Sequence, residues 1–273
     1  MTVVLSGGGA KTAAHVGAAR ALDEAGCAPV RYVATSMGAV IAAALAARVD
    51  REALIDRLPE IGRRGVVRDP LATVRGLFAR SLLRPSPLRR AIETIVPVRR
   101  FADLSVPLTV CVTDLETGEL LLFGEGGADA PLIDVLAATC ALPVFFPPVA
   151  LANRRCADGG LRGPLPLEAA ARLARETVVA VDVGPGFDLA PPIPSAASPA
   201  LVRAHEEAVG TLMAAVTTAS LAQWRNTTDR PELVYVRPVV ERNATFRVER
   251  VRKYAEDGYR AARETLTRWR GSH

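Results

Sequence analysis

A chain of 273 residues, 49% of them apolar, is long enough to bury one large core and too hydrophobic to be disordered throughout. Its formal charge of +5 favours anionic surfaces, phospholipid headgroups among them, but the arginines are scattered and aromatics make up only 5%, which sets aside a nucleic-acid partner. The N-terminus lacks a basic stretch followed by a long apolar core, and the uncharged apolar run 39–47 is too short to span a bilayer, so the expectation is a cytoplasmic chain, without Sec signal or membrane span, that can touch a membrane peripherally.

In chain order, a β-branched strand is expected at 2–5, a glycine turn at 6–12, an Ala-rich helix at 13–25 stopped by Gly26, a strand at 29–35 and a helix at 38–49. A β-α-β-α opening implies an α/β fold with a mostly parallel sheet covered on both faces. The second strand runs into the second helix through Ala34-Thr35-Ser36-Met37-Gly38. Strand, Ser and helix in immediate succession is the geometry of a nucleophile elbow, and Ala34 and Gly38 supply the small residues that close passage of strand and helix requires. A tight turn with an incidental Ser is the plain alternative.

The first turn, Ser6-Gly7-Gly8-Gly9-Ala10-Lys11-Thr12, leaves backbone N–H groups free at a helix N-terminus, able to hold an anion. A Walker A loop needs Gly directly before the Lys and another five earlier, where Ala10 and Leu5 stand; the dinucleotide fingerprint fails at Thr12. A P-loop-like nucleotide binder is therefore a poor match. An oxyanion hole asks only for two or three N–H groups aimed at one oxygen, and beside the elbow it is the better reading.

Residues 50–100 are Arg-dense and broken by Pro59, Pro70, Pro85, Pro87 and Pro97 into short helices, one of them capped by Ser86 with Pro87 behind it. With Leu77, Phe78, Leu82 and Leu83 among Arg75, Arg80 and Arg84, this stretch reads as a lid or lipid-contacting cap, or equally as a plain helical excursion. A hairpin follows at 108–123 and a helix at 131–142. The Pro-framed loop 143–148 then carries Phe145 and Phe146, either core packing or the wall of an acyl pocket. A strand at 178–183, a Pro/Ser/Ala-rich loop at 184–199, a helix at 201–224, a strand at 233–236 and a closing helix at 248–269 complete the chain. Cys27, Cys111, Cys140 and Cys156 lack metal-type spacing and lie in apolar contexts, so free buried thiols are expected and no metal.

A Ser nucleophile needs a base. The three histidines are His15, one turn into the first helix; His205, in the polar start of a long helix; and the terminal His273. None lies in a late loop after a strand. Asp158-Gly159-Gly160, by default a turn at a strand end, offers a carboxylate that acts on the Ser directly.

Taken together, Gly7-Gly8-Gly9-Ala10-Lys11, Ala34-Thr35-Ser36-Met37-Gly38 and Asp158-Gly159-Gly160 resemble the patatin-like phospholipase family. Supporting stretches match in the same order: His15-Val16-Gly17, Pro107-Leu108, Ala138-Thr139-Cys140-Ala141-Leu142-Pro143 before Phe146-Pro147-Pro148, and Asp257-Gly258-Tyr259. The resemblance implies one three-layer α/β/α domain over 1–273 and a lipid acyl hydrolase of the phospholipase A, lysophospholipase or esterase type. It further implies Ser36 as nucleophile, Asp158 as general base, an oxyanion hole from the N–H groups of Gly7, Gly8 and Gly9, Lys11 bracing that loop, and no cofactor. The implied partner is a phospholipid or other fatty-acyl ester; a catalytically silent lipid-binding or scaffold protein of the same fold is the alternative. The sequence departs from the family pattern at Ala34, at Thr12 and at Pro164, which stands where the family often carries Asn.

Overall fold

The structure is a computed structural model that describes residues 1–60, 81–186, 200–241 and 247–272. Its strands are β1 (Thr2–Leu5), β2 (Arg31–Thr35), β3 (Leu108–Asp114), β4 (Leu120–Gly124), β5 (Val149–Leu151), β6 (Arg154–Asp158), β7 (Val178–Val181) and β8 (Leu233–Val236). Its α-helices are α1 (Ala13–Glu24), α2 (Ser36–Ala46), α3 (Arg51–Glu60), α4 (Pro85–Ile95), α5 (Leu132–Thr139), α6 (Leu167–Leu173), α7 (Ala200–Asn226) and α8 (Val251–Gly271). All eight strands join one sheet, in which β3, β2, β1, β7 and β8 run parallel, and β4, β6 and β5 are antiparallel additions on the β3 side.

The apolar runs that make β1 and β7 are wholly buried because both sheet faces are covered. Val3, Leu5, Val179 and Val181 face the larger core, shared with α1, α2, α5 and α8, whereas Val4, Val178 and Ala180 face a smaller core with Leu167 and Ala170 of α6 and Trp224 of α7. Helix α2 is nearly all alanine and aliphatic, and everything from Gly38 to Ala46 is buried. The fold is thus the expected α/β arrangement, with helices on both sides of a central sheet.

Strand β3 decides where the site forms. Along one edge it pairs throughout with β4, Thr109 opposite Gly124 and Thr113 opposite Leu120. Its other edge is divided. Strand β2 occupies it as far as Thr35 opposite Cys111, and β6 occupies the rest, with Asp158 opposite Val112. One neighbour runs parallel to β3 and the other antiparallel, so the two chains approach head-on and both must turn away between Cys111 and Val112. Ser36 follows Thr35, and Asp158 is the last residue of β6.

Boundaries differ from the sequence expectations for local reasons. Helix α4 begins at Pro85 with Arg84 as its cap, two residues ahead of the expected Ser86 cap, because Pro in a first turn lacks an N–H that the helix would leave unbonded anyway. The hairpin β5–β6 turns on Ala152 and Asn153, both at positive φ, and with Ala rather than glycine beside Asn153 it lacks the dipeptide that marks a two-residue turn. Helix α6 has seven residues, too few for periodicity to register. Phe145 and Phe146 are buried in the larger core, in favour of the packing reading. The cysteines are buried and free. Helices α3 and α4 pack Leu54, Ile55, Leu58, Leu88, Ile92 and Ile95 into the larger core. Arg75, Leu77, Phe78 and Arg80, on which the lid reading leaned, lie outside the described residues, as does most of the loop 184–199.

Helix α8 closes the sheet by crossing α1 at backbone contact distance. A Cβ on Gly258 would stand 2.0 Å from the Ala14 carbonyl oxygen, and one on Gly17 would stand 1.8 Å from that of Ala255. In an open helix Gly258→Ala would gain about 0.8–1 kcal/mol of propensity. Here the methyl must separate two backbones, so the variant is expected to lose about 1–3 kcal/mol net through overpacking. A thermal melt reads the sign directly, and a raised midpoint would show that the crossing is not tight.

Candidate active site

The bend at the end of β2 has no linking residue. Thr35 is extended, at φ −134° and ψ 152°, and Ser36, the first residue of α2, is at φ +54°. That conformation costs a non-glycine residue on the order of 1–3 kcal/mol and survives only where neighbours enforce it. One enforcer is a hydrogen bond from the Ser36 N–H to Thr139 Oγ1, 2.8 Å. Another is packing: α2 passes so close to the end of β1 that a Cβ on Gly38 would lie 2.3 Å from the Ser6 carbonyl oxygen. Ala34, two residues before the bend, is fully buried.

Asp158 reaches the same point from β6. Its N–H donates to the Ala141 carbonyl at 3.1 Å, and its own carbonyl accepts from Thr113 Oγ1 at 2.9 Å. Its carboxylate is shared: Oδ1 accepts the Gly160 N–H at 2.7 Å, and Oδ2 accepts the Ser36 hydroxyl at 2.7 Å. Asp158 is only 4% exposed, and this burial pushes its carboxyl from 3.8 up to about 6, against the pull of the two hydrogen bonds. Gly159 is fixed by space, since a Cβ there would stand 2.1 Å from the Cys111 carbonyl oxygen and 2.3 Å from Thr35 Oγ1. The Cys140 thiol also contacts the Ser36 side chain, and burial drives its pKa well up, so it is a neutral neighbour.

The glycine turn lies beside the elbow. A Cβ on Gly7 would be 3.1 Å from Ser36 Cβ and 3.7 Å from its Oγ. The Gly7 N–H, however, is taken: it donates to the Pro164 carbonyl at 2.9 Å. This corrects the expectation of three free donors. The N–H groups of Gly8 and Gly9 have no acceptor among the described residues. Pro164, a departure from the family pattern, thus ties the glycine turn to the segment after Asp158. Thr12, another departure, braces the turn with a 2.7 Å bond from its hydroxyl to the Gly9 carbonyl.

Lys11 is buried, and burial together with Arg237 pushes its ammonium from 10.5 down to about 8, with Asp182 and Glu241 pulling the other way. Asp182 is buried as well. It accepts from the Gly184 N–H at 2.8 Å and from the Tyr235 hydroxyl at 2.8 Å, and it pairs with Arg237 at 3.1 Å. The Val183 N–H then donates to Ser6 Oγ at 2.8 Å, which fastens the end of β7 to the start of the glycine turn. Sequence reading passed over Asp182, Arg237 and Thr113, and noticed Thr139 only within a motif. Asp182 ends an apolar run as Asp158 does, but no glycine pair marks it.

His15 makes no hydrogen bond to either member of the pair and is engaged elsewhere. It is fully buried, its Nε2 donates to the Ser6 carbonyl at 2.8 Å, and burial pushes its pKa from 6.5 down to about 4, so it is neutral. Its role is to hold the residue before the glycine turn.

Among the described residues, no group of three or more His, Cys, Asp or Glu is placed to hold a metal ion, and no helix is long and apolar enough to cross a membrane. The uncharacterized NTE family protein Rv1063c of Mycobacterium tuberculosis is 31% identical over 199 residues, which are 70% of this chain and 52% of that protein. The human patatin-like phospholipase domain-containing protein 6 is 28% identical over 188 residues, 67% of this chain and 13% of that protein. The chain therefore spans about half the length of the mycobacterial relative. Among solved structures, VipD from Legionella pneumophila aligns over 98% of this chain and 66% of its own, at 17% identity and a TM-score of 0.49. The family model for patatin-like phospholipases matches residues 3–171, more than half of the sequence, and the chain belongs to that family.

Proposed function

We propose that the chain is a lipid acyl hydrolase that cleaves fatty-acyl esters, phospholipid or lysophospholipid among them, through Ser36 and Asp158 without a histidine. The observation that carries this reading is the 2.7 Å hydrogen bond from Ser36 Oγ to a buried carboxylate, while His15 Nε2 is engaged with the Ser6 carbonyl. In the proposed reaction Asp158 takes the Ser36 proton as Oγ attacks the ester carbonyl. The N–H groups of Gly8 and Gly9 face the oxyanion, each worth roughly 2.7–4 kcal/mol of barrier. Collapse of the tetrahedral intermediate returns the proton from Asp158 to the departing alkoxide and leaves an acyl-Ser36. Water, deprotonated by Asp158, attacks the acyl-enzyme, and the fatty acid leaves as Ser36 recovers its proton. In this reading the buried Lys11 braces the loop that carries the two donors. The scheme requires no metal or cofactor. The described elements carry this machinery on one sheet, which supports reading the chain as a single patatin-like domain.

Hydrolysis of p-nitrophenyl esters and a lipid panel by Ser36→Ala, Asp158→Asn and His15→Ala tests the assignment. The first two variants are expected to lose at least about 1000-fold in kcat, in keeping with loss of a nucleophile or its base. The His15 variant should retain turnover in its folded fraction. Labelling of Ser36 by a fluorophosphonate probe separates an enzyme from a silent lipid-binding protein. Activity should fall on the acid side with a midpoint near about 6, because the base must be ionised. Retained turnover in Asp158→Asn together with loss in His15→Ala would overturn the reading.

The same carboxylate gives a stability prediction of opposite sign. Its pKa is about 6 folded against 3.8 for an ordinary Asp, so the folded state holds the proton more tightly. The protonated form's advantage is fully present below 3.8 and is lost as pH rises through about 6. At pH 8 the buried charge then costs up to about 3 kcal/mol. Asp158→Asn is therefore expected to melt above the parent at pH 8, with the gap closing as the pH is lowered towards 4. Equal melting at both ends would mean that Asp158 is not desolvated.

A further inference from the structure

The last turn of α5 touches both members of the proposed pair. Thr139 is fully buried, and its hydroxyl makes two hydrogen bonds whose directions are fixed by chemistry. A backbone carbonyl can only accept, so the hydroxyl proton goes to the Cys111 oxygen at 2.6 Å. A backbone N–H can only donate, so the lone pair receives the Ser36 N–H at 2.8 Å. Two residues on, the Ala141 carbonyl accepts the Asp158 N–H at 3.1 Å. The Cys111 oxygen held by Thr139 is also the atom against which Gly159 is packed. A single turn, 139–141, therefore grips the backbone of the nucleophile on one side and the backbone of the base on the other.

We propose that Thr139 is a positioning residue for the reaction: its hydroxyl, clamped between the Ser36 N–H and the Cys111 carbonyl, sets the separation of Ser36 Oγ from Asp158 Oδ2. The inference rests on the proposed Ser36–Asp158 chemistry. Ser36 is held at φ +54°, and its N–H is the group through which that conformation can be pinned without touching the reacting oxygen. An isosteric valine would leave this N–H and the Cys111 carbonyl unpaired, and the Ser36 backbone would relax. Oγ would then move off the carboxylate. Misplacement on the scale of 1 Å is enough to cost about 100-fold in rate.

The test compares Thr139→Val, Thr139→Ser and the parent in p-nitrophenyl ester kinetics, fluorophosphonate labelling rate and the acid limb of the pH profile. Thr139→Val is expected to lose about 10- to 100-fold in kcat and in labelling rate, with KM changed by less than about twofold. Its acid limb should move above about 6, since the Ser36 hydrogen bond that lowers the Asp158 pKa is weakened. Thr139→Ser keeps the hydroxyl and should restore rate and limb to near the parent. If the valine variant does not fold, Thr139→Ala, which leaves room for a water at the two backbone groups, carries the same expectation. A folded Val or Ala variant with parental kcat and an unmoved limb would overturn the inference, and so would a folded Ser variant as slow as the Val variant. Ser36→Ala and Asp158→Asn are run alongside. If they stay active the chemistry itself is wrong, whereas if only they are inactive the role of Thr139 is wrong and the pair stands.

Discussion

Two strands that share one edge of β3 govern the architecture of the site. Strands β2 and β6 run towards each other, and each can pair with β3 only until it meets the other, at Cys111 and Val112. At that junction both chains must leave the sheet. One does so by passing directly into a helix with Ser36 at positive φ, the other by a short turn capped by the Asp158 carboxylate. Hydroxyl and carboxylate are brought together by strand register, although 122 residues separate them in the chain. A one-residue slip of β6 would turn Asp158 to the opposite face of the sheet. The bonds from Thr113 and to Ala141 both act against such a slip.

Burial then sets the chemistry of the groups held there. The same physical cause acts on three ionisable side chains and leaves each in a different state. Asp158 rises to about 6 and stays an anion near neutrality, His15 falls to about 4 and is neutral, and Lys11 falls to about 8 and keeps its charge near neutrality. One of the three, His15, bears on the backbone at the start of the glycine turn, through the Ser6 carbonyl. Asp182 and Arg237 add a second anchor from β7 and β8, by way of Val183 and Ser6 Oγ. The turn is therefore restrained at Ser6, at Gly7 and at Gly9. In the proposed reaction, donors held in this way lower the barrier without reorganising.

Much of this was legible in the sequence, and for identifiable reasons. The strand at 2–5, the Ala-rich helix behind Ser36 and the parallel sheet follow from unbroken apolar runs and glycine punctuation. Ser36 could be singled out because small residues must flank it, and Asp158 because a serine nucleophile needs a base and no histidine lies in a late loop after a strand. What sequence could not supply was register, since nothing in the composition of β6 fixes that Asp158 faces Val112 rather than a neighbour. Thr139 was hidden for the same reason. A threonine at the end of an apolar helix looks like any other, and its importance comes from two backbone atoms that arrive from distant segments. Short elements escaped too, and the β5–β6 turn escaped because Ala152 stands where glycine would have announced it. Gly7 shows the converse: the sequence marked it as a free donor, and a carbonyl from Pro164 has already claimed it.

The proposed use of a carboxylate without an imidazole makes exact placement more demanding. A base with a pKa of about 6 is far weaker than a serine alkoxide, so proton transfer is uphill unless it is coupled to attack and to charge capture by the oxyanion donors. A histidine could swing to follow its proton between nucleophile and leaving group; Asp158 has one oxygen committed to the Gly160 N–H and only the other free to act. The remaining tolerance must be met by the backbone, which accounts for the number of hydrogen bonds spent on holding Ser36 and Asp158 compared with those spent on activating them. Strain at Ser36 and the buried charge at Asp158 both weaken the fold. The close-packed α2 and the doubly covered sheet are what allow a chain of this size to retain both.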